Sequence, residues 1–467
     1  MQRKYLATAL AGLLVAPAGA MAAGDGQSVM SELNIKVHAH LHGSVDYSDT
    51  GGASVPNDIS YGEAAGTPSR ALNMSNNNSN IGFTGEHLVP GAFMAIFQVE
   101  LALPGSQTGV NNSYGRGNHV SKNVGLHDTY FGIANPLGVL LFQPSFENQG
   151  AFLSRPFNMF KDTVGDFNSI IDTANFPNGG PSGEPAISFA GQANYAMSYT
   201  SPKWNGVDSV ISYTEDANGG DFGTYNTYGV GYIAGSGESY GYPNANQHNN
   251  AWSWGIRYDK TFNDTSAIKG LVNYSQINVQ GNTTGIEKYI SALSKSVPVS
   301  YDSAESVGQL PPSDKMRLKA LELAASYEYI PSGTTAIAVW ERSNGLYTRN
   351  AYSLGFSQAV PGNNDLMASW IHAGDLSSPM SNCAINATYS QINCSGGKVE
   401  DSGANEYVVG MKHHFDKQVS MYLVYAYTRN GKNGLYGLGG PNHGQSIYPT
   451  KAGDDPKSLS MGMIWDF

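Results

Sequence analysis

Cysteine is nearly absent from this chain: there are two, Cys383 and Cys394, in SNCAINATYSQINCSGG. So few exclude a disulfide-dense scaffold, and nothing beside them has the spacing of zinc ligands. Charge is scarce as well, at 13% of residues, and 26 basic side chains face 37 acidic ones for a net −11. A chain of that sign offers no electrostatic footprint for nucleic acid. Past the N-terminus no apolar run approaches the ~18 residues a membrane helix requires. Catalytic signatures are missing too: no G-x-S-x-G elbow, Walker A sequence, C-x-x-C or H-E-x-x-H occurs, and GVGYIAG (229–235) has the wrong final spacing for a dinucleotide loop. The motifs give no enzyme, no cofactor and no metal.

What is present begins with MQRKYLATALAGLLVAPAGAMAAGDG. Arg3 and Lys4 precede a short apolar run, and Ala20-Met21-Ala22 reads as a cleavage site, so residues 1–22 are expected to be a signal peptide. Cleavage after Ala18-Gly19-Ala20 is the alternative. The exported remainder, 23–467, is expected to be one unit, since no linker or composition shift divides it. In an exported chain the cysteine pair most often closes a loop as a disulfide, the alternative being two free thiols.

The whole chain carries 56 Gly and 28 Tyr, and its exported part alternates apolar with polar residues in segment after segment. Short Gly/Pro/Asn/Asp-rich connections recur at LVPG, ANPLG, SPKWNG, KTFND, IPSG, VPGNND and FDKQ. Between them lie long polar connections. Strands paired around those turns number about sixteen, and an even antiparallel count with short turns at one end is the layout of an outer-membrane β-barrel. Alternation alone suits a soluble sandwich equally. The barrel is favoured by aromatic residues at strand ends (Tyr199, Tyr258, Tyr329, Tyr427), which suit interfacial girdles. The terminal SLSMGMIWDF adds to this, with Leu459, Met461, Met463, Trp465 and Phe467 on one face.

These segments together resemble the Gram-negative general diffusion porins. LHGSVDY is similar to that family's first strand, SNIGFTGEHLVPGAFMAIFQVE to its second hairpin, NYAMSYTSPKWNGVDSVISYT to a later one, and EYVVGMKHHFDKQVSMYLVYAYTRN with GDDPKSLSMGMIWDF to its closing strands. The resemblance implies an all-β, sixteen-stranded transmembrane antiparallel barrel with short periplasmic turns and long extracellular loops. It implies a homotrimer in outer-membrane lipid, passing small hydrophilic solutes and ions, with Phe467 as a signal to the barrel-assembly machinery. The third loop would fold into the lumen as a constriction over 146–185, because FKDTVGDFNSII is similar to its acidic half. Carried over, Asp162 and Asp166 become constriction carboxylates, with Arg155 and Lys161 as nearby cations. Where family members carry basic residues, this chain has Asn80 and the strand ending FQPS, which thins the cluster facing that loop.

The remaining feature is KVHAHLHGSVDY (36–47), with histidines at alternate positions. Period two makes Lys36, His38, His40, His42 and Asp46 one face of a strand, expected to line the lumen with Gln98, Glu100, Arg257, Lys269 and Lys412. The outer two histidines stand ~13 Å apart, so all three cannot hold one metal ion, although two neighbours could. The face is read as a wet wall rather than a ligand set, its imidazoles gaining charge as pH falls. Three functions remain: a passive pore, a substrate-selective channel, or a non-conducting surface adhesin.

Overall fold

The computed structural model describes residues 34–52, 70–91, 93–103, 125–147, 149–172, 189, 192–216, 250–280, 315–344, 348–386, 391–398, 400–434, 436–440, 443–444, 447, 449 and 453–467. The expected signal peptide lies outside them, as does 173–185 of the expected constriction.

The chain enters as β1 (Asn34–Asp49), whose first half pairs with β3 (Asn80–Val89) and second half with β2 (Arg70–Asn76). β2 and β3 are therefore one barrel strand, interrupted at Asn77–Ser79. The ladder continues antiparallel through β4 (Phe93–Ala102), then β5 (Gly125–Leu126) with β6 (Thr129–Asn135) as a second interrupted strand, then β7 (Gly138–Glu147). It proceeds through β8 (Gln192–Thr200), β9 (Val207–Asp216), β10 (Asn250–Phe262), β11 (Ser266–Gln280) and β12 (Lys315–Tyr329). β13 (Thr334–Asn344), β14 (Thr348–Val360) and β15 (Asn364–Ala373) follow. β16 (Ser377–Asn386) and β17 (Gln391–Lys398) form a hairpin within one connection, and β15 pairs onward with β18 (Ala404–His414). β19 (Val419–Asn430) and β20 (Lys457–Asp466) complete the circuit, and β20 pairs with β1 from His40↔Asp466 to Asp49↔Lys457. The result is a closed sixteen-stranded antiparallel barrel. Closure pairs the backbone of every barrel strand, the condition a lipid environment imposes.

The residues dictate which way each strand faces. On β20, Leu459, Met461, Met463 and Trp465 are exposed while Ser458 and Ser460 are buried. On β10, Trp252 and Trp254 face out and Ser253 faces in. The seven short connections fall at the positions the turn residues specify. In KTFND, Asn263 and Asp264 both take positive φ (48° and 54°), the mirror-image turn whose twist matches a hairpin and which Asn and Asp tolerate. The opposite end departs from expectation at one point: only 345–347 separate β13 from β14, so that connection is short as well.

A pure β-barrel would be polar inside, but here the interior holds an apolar core. Its centre is the segment 149–172, comprising α1 (Gln149–Ser154), the one-turn helices Arg155–Phe157 and Phe167–Ser169, and the turns between them. Leu153, Phe157, Phe160, Val164, Phe167, Ile170 and Ile171 pack on inward-facing Val210, Leu271, Ile337, Val339, Ile371, Val408 and Val424. Gly165 rests against the wall so closely that a β-carbon there would stand 2.3 Å from Val408 Cγ1. The connection between β19 and β20 joins the same core through Tyr436, Leu438 and Ile447, with Gly439 N–H donating to Val164 O at 3.0 Å.

Candidate functional site: the inward segment and its wall

Apolar burial holds the segment in place. Each buried Phe, Ile or Leu contributes ~1.5–3 kcal/mol, against ~0.5–1.5 kcal/mol net for a hydrogen bond. The polar contacts set the register instead. Arg349 and Glu341, on adjacent strands β14 and β13, are fully buried and pair at 2.8 Å. Arg349 Nη2 also donates to Ile170 O at 2.6 Å, and Asp172 N–H donates to Glu341 at 2.6 Å. Ser169 Oγ donates to Glu406 of β18, also at 2.6 Å. Sequence reading missed Glu341, Arg349 and Glu406. Their signal was ionisable residues spaced among apolar ones on inward strand faces, visible only once the face is known.

The four residues expected at the constriction separate into different roles. Arg155 forms ion pairs with Glu147 and, at 3.2 Å, with Asp128, and its guanidinium lies over the Phe152 ring. Lys161 pairs with Asp162 at 3.0 Å and keeps a partly exposed side chain. Asp166 departs from the expectation of a lumen carboxylate. It accepts from Asn158 Nδ2 (2.6 Å), Asp162 N–H (2.8 Å) and Asn168 N–H (2.8 Å), capping the helix Phe167–Ser169. It is 1% exposed, because a cap must turn inward to reach its own backbone. Burial, then the charge of Asp162, pushes its carboxyl up to about 6. Burial acts in the same sense on Asp162, but Lys161 together with His40, His42 and Arg155 outweighs it and holds that carboxyl below its ordinary range.

The wall residues are equally diverse. Lys36 is exposed at the start of β1. His38 Nε2 meets Glu100 Oε1 at 3.0 Å, and Gln98 donates to the same oxygen at 2.8 Å. The other Glu100 oxygen meets His127 Nδ1 at 2.8 Å. Asp46 accepts from Ser44 and Ser75 and lies 3.4 Å from His443 of the last connection. Arg257 pairs with Asp208 at 2.7 Å, whereas Lys269 and Lys412 make no ion pair with a described residue. His443 was missed, since nothing in its sequence marks that connection as folding inward.

The histidine face is not three equivalent wet imidazoles, and this corrects the reading of HAHLH. His42 is 2% exposed, and its Nε2 meets the Tyr422 hydroxyl at 2.8 Å. Tyr422 reaches it by lying over Gly462, where a β-carbon would stand 2.3 Å from the ring. His40 Nδ1 meets Asp466 Oδ1 at 2.6 Å. The Asp162 side chain approaches from the inward segment, and one donor atom from each of His40, His42 and Asp162 lies within 4.8 Å of the others.

Comparisons place this architecture. A family model described as Gram-negative porin matches residues 7–433. No curated protein matches the chain in sequence. Among solved structures, an anion-selective porin from Comamonas acidovorans is similar at TM-score 0.56 and 14% identity, covering 93% of this chain and 100% of that one. OmpT, an outer membrane protein of Vibrio cholerae, is similar at TM-score 0.53 and 10% identity, covering 95% and 100%. A trimer form of the same protein gives 0.52 and 10%, covering 93% and 99%.

Proposed function

The chain belongs to the Gram-negative porin family and forms a passive-diffusion channel in the outer membrane; from that premise we propose that residues 149–172 are its constriction and that it leans towards cations. The observation that carries this is the neutralisation of the segment's basic residues. Arg155 is bound to Glu147 and Asp128, and Lys161 to Asp162, within a chain of net −11. A low-dielectric passage with an excess of carboxylates concentrates counter-ions of positive sign. The Comamonas acidovorans porin, similar in fold, is anion-selective by description.

The permeant class is small hydrophilic solutes and ions, and the protein performs no catalysis. Three such barrels assemble as a homotrimer, a reading supported by the trimer form of the Vibrio cholerae neighbour. The end with the seven short turns faces the periplasm, and the opposite end, with the long connections and the short β13–β14 one, faces the exterior. Phe467 continues the outward face of β20, its N–H donating to Ala39 O at 3.1 Å, and serves as the assembly signal. Cys383 and Cys394 stand directly opposite in the β16–β17 register and form a disulfide.

Planar-bilayer recording tests the reading. Stepwise ohmic conductance is expected, with a reversal potential of cationic sign in a salt gradient. An absence of channels would overturn the constricted pore in favour of an adhesin. Block by one solute at sub-millimolar concentration would favour a selective channel, and an anionic reversal potential would overturn the charge argument.

A further inference from the structure

Three buried polar atoms around the HAHLH face have no hydrogen-bond partner among the described residues: His40 Nε2, His42 Nδ1 and Asp162 Oδ1. Buried groups of this kind are ordinarily satisfied, and one left open at a time is already uncommon. Here three occur on residues whose donor atoms lie within 4.8 Å of one another. The opposite edge of each group is occupied: His40 Nδ1 by Asp466, His42 Nε2 by Tyr422, and Asp162 Oδ2 by Lys161. The carboxylate facing His40 Nδ1 puts the proton on that nitrogen and leaves Nε2 as a lone pair. At His42 the tautomer that donates Nε2–H to the Tyr422 hydroxyl leaves Nδ1 as a lone pair in the same way, the arrangement that orients histidine ligands. The rings of His40 and His42 stand 5.8 Å apart and nearly perpendicular, so their edges meet rather than stack.

We propose that His40, His42 and Asp162 form a binding site for a divalent transition-metal ion of the zinc class, joining the inward segment to β1. Two imidazoles and one carboxylate suit zinc, nickel or copper, whereas magnesium and calcium require all-oxygen shells. Three protein ligands leave a fourth position for water or a passing solute. Entry is from the lumen past His40 and Lys161, whose side chains are 27% and 31% exposed. The bound ion places positive charge beside the segment and ties its tip to the wall. Cation current falls as a result. That effect on current rests on residues 149–172 being the constriction; binding itself does not.

The experiment separates the two. Equilibrium dialysis of the detergent-purified protein against zinc chloride, with metal content read by mass spectrometry, is expected to give one zinc per chain retained against excess magnesium. His40→Gln, His42→Gln and Asp162→Asn should each weaken retention by at least about tenfold, and Asp466→Asn, which removes only an orienting partner, by about 10–100-fold. His413→Gln, which contacts Asn364 away from the site, should leave retention unchanged. Heat-modifiable migration on gels reports whether each variant is a folded barrel. Should His40→Gln misfold, the double variant His42→Asn/Asp162→Asn carries the same test. Equal zinc retention by folded wild type and folded ligand variants would overturn the site, as would displacement by magnesium. If zinc binds at these residues yet single-channel current is unchanged, the site stands and the constriction reading falls.

Discussion

Arg349 shows how much one side chain settles inside this barrel. It and Glu341 have no exposed side-chain surface, and between them they contact the backbone at Ile170 and Asp172. Removing one member of a buried pair leaves the other charge uncompensated, at a cost of up to about 3–5 kcal/mol. Arg349→Ala should therefore leave Glu341 buried without its cation and release the end of the inward segment. Limited proteolysis should then cut within 149–172 at least tenfold faster than in wild type while the barrel still migrates as folded. Unchanged cleavage would mean that the apolar contacts alone fix the register. At this scale the sequence announced Asp162 and Lys161, which adjoin in the chain and in space. It did not announce Glu341 with Ile170 and Asp172, or Asp46 with His443, because those pairs meet only across the closed lumen.

For the inward segment as an element, pH is the informative variable. Burial, followed by the neighbouring Glu341 carboxylate, pushes Asp172 up to about 8, against opposing hydrogen bonds from Ser154 and Asn168. The Glu147 carboxylate acts in the same raising sense. A carboxyl whose pKa is raised by folding favours the folded form when protonated. Its contribution is complete below the ordinary aspartate range, ~4, and disappears as pH rises through the raised value. Amide protection across 149–172, taken relative to the intrinsic base-catalysed exchange, should accordingly fall as pH rises from about 6 to about 9, and Asp172→Asn should flatten that dependence. A segment equally protected at both limits in wild type would refute the assignment. The sequence located this element through FKDTVGDFNSII but assigned Asp166 to the lumen. A carboxylate four residues from another in a loop reads as a charge pair, and only the backbone geometry reveals a cap.

For the whole molecule, stability resides in a continuous ladder whose ends meet, so it cannot be lost strand by strand. The β1–β20 seam extends over ten registered pairs and is reinforced by the backbone bonds between Ala39 and Phe467. Unheated protein in dodecyl sulfate should migrate as a compact trimer and collapse to monomer mobility only on boiling. A monomeric band before heating would exclude the proposed homotrimer.

Strand number, the seven short turns and the outward faces were determined by sequence alone, because period-two alternation and Asn/Asp/Gly turn chemistry are local properties that each segment carries with it. The short β13–β14 connection, the inward fold of the β19–β20 connection and the fate of HAHLH were decided by tertiary structure. Each depends on what lies opposite across the lumen. Two histidines spaced by one residue define a face, and only the approach of Asp162 from a segment some 120 positions later turns that face into a set of converging donors.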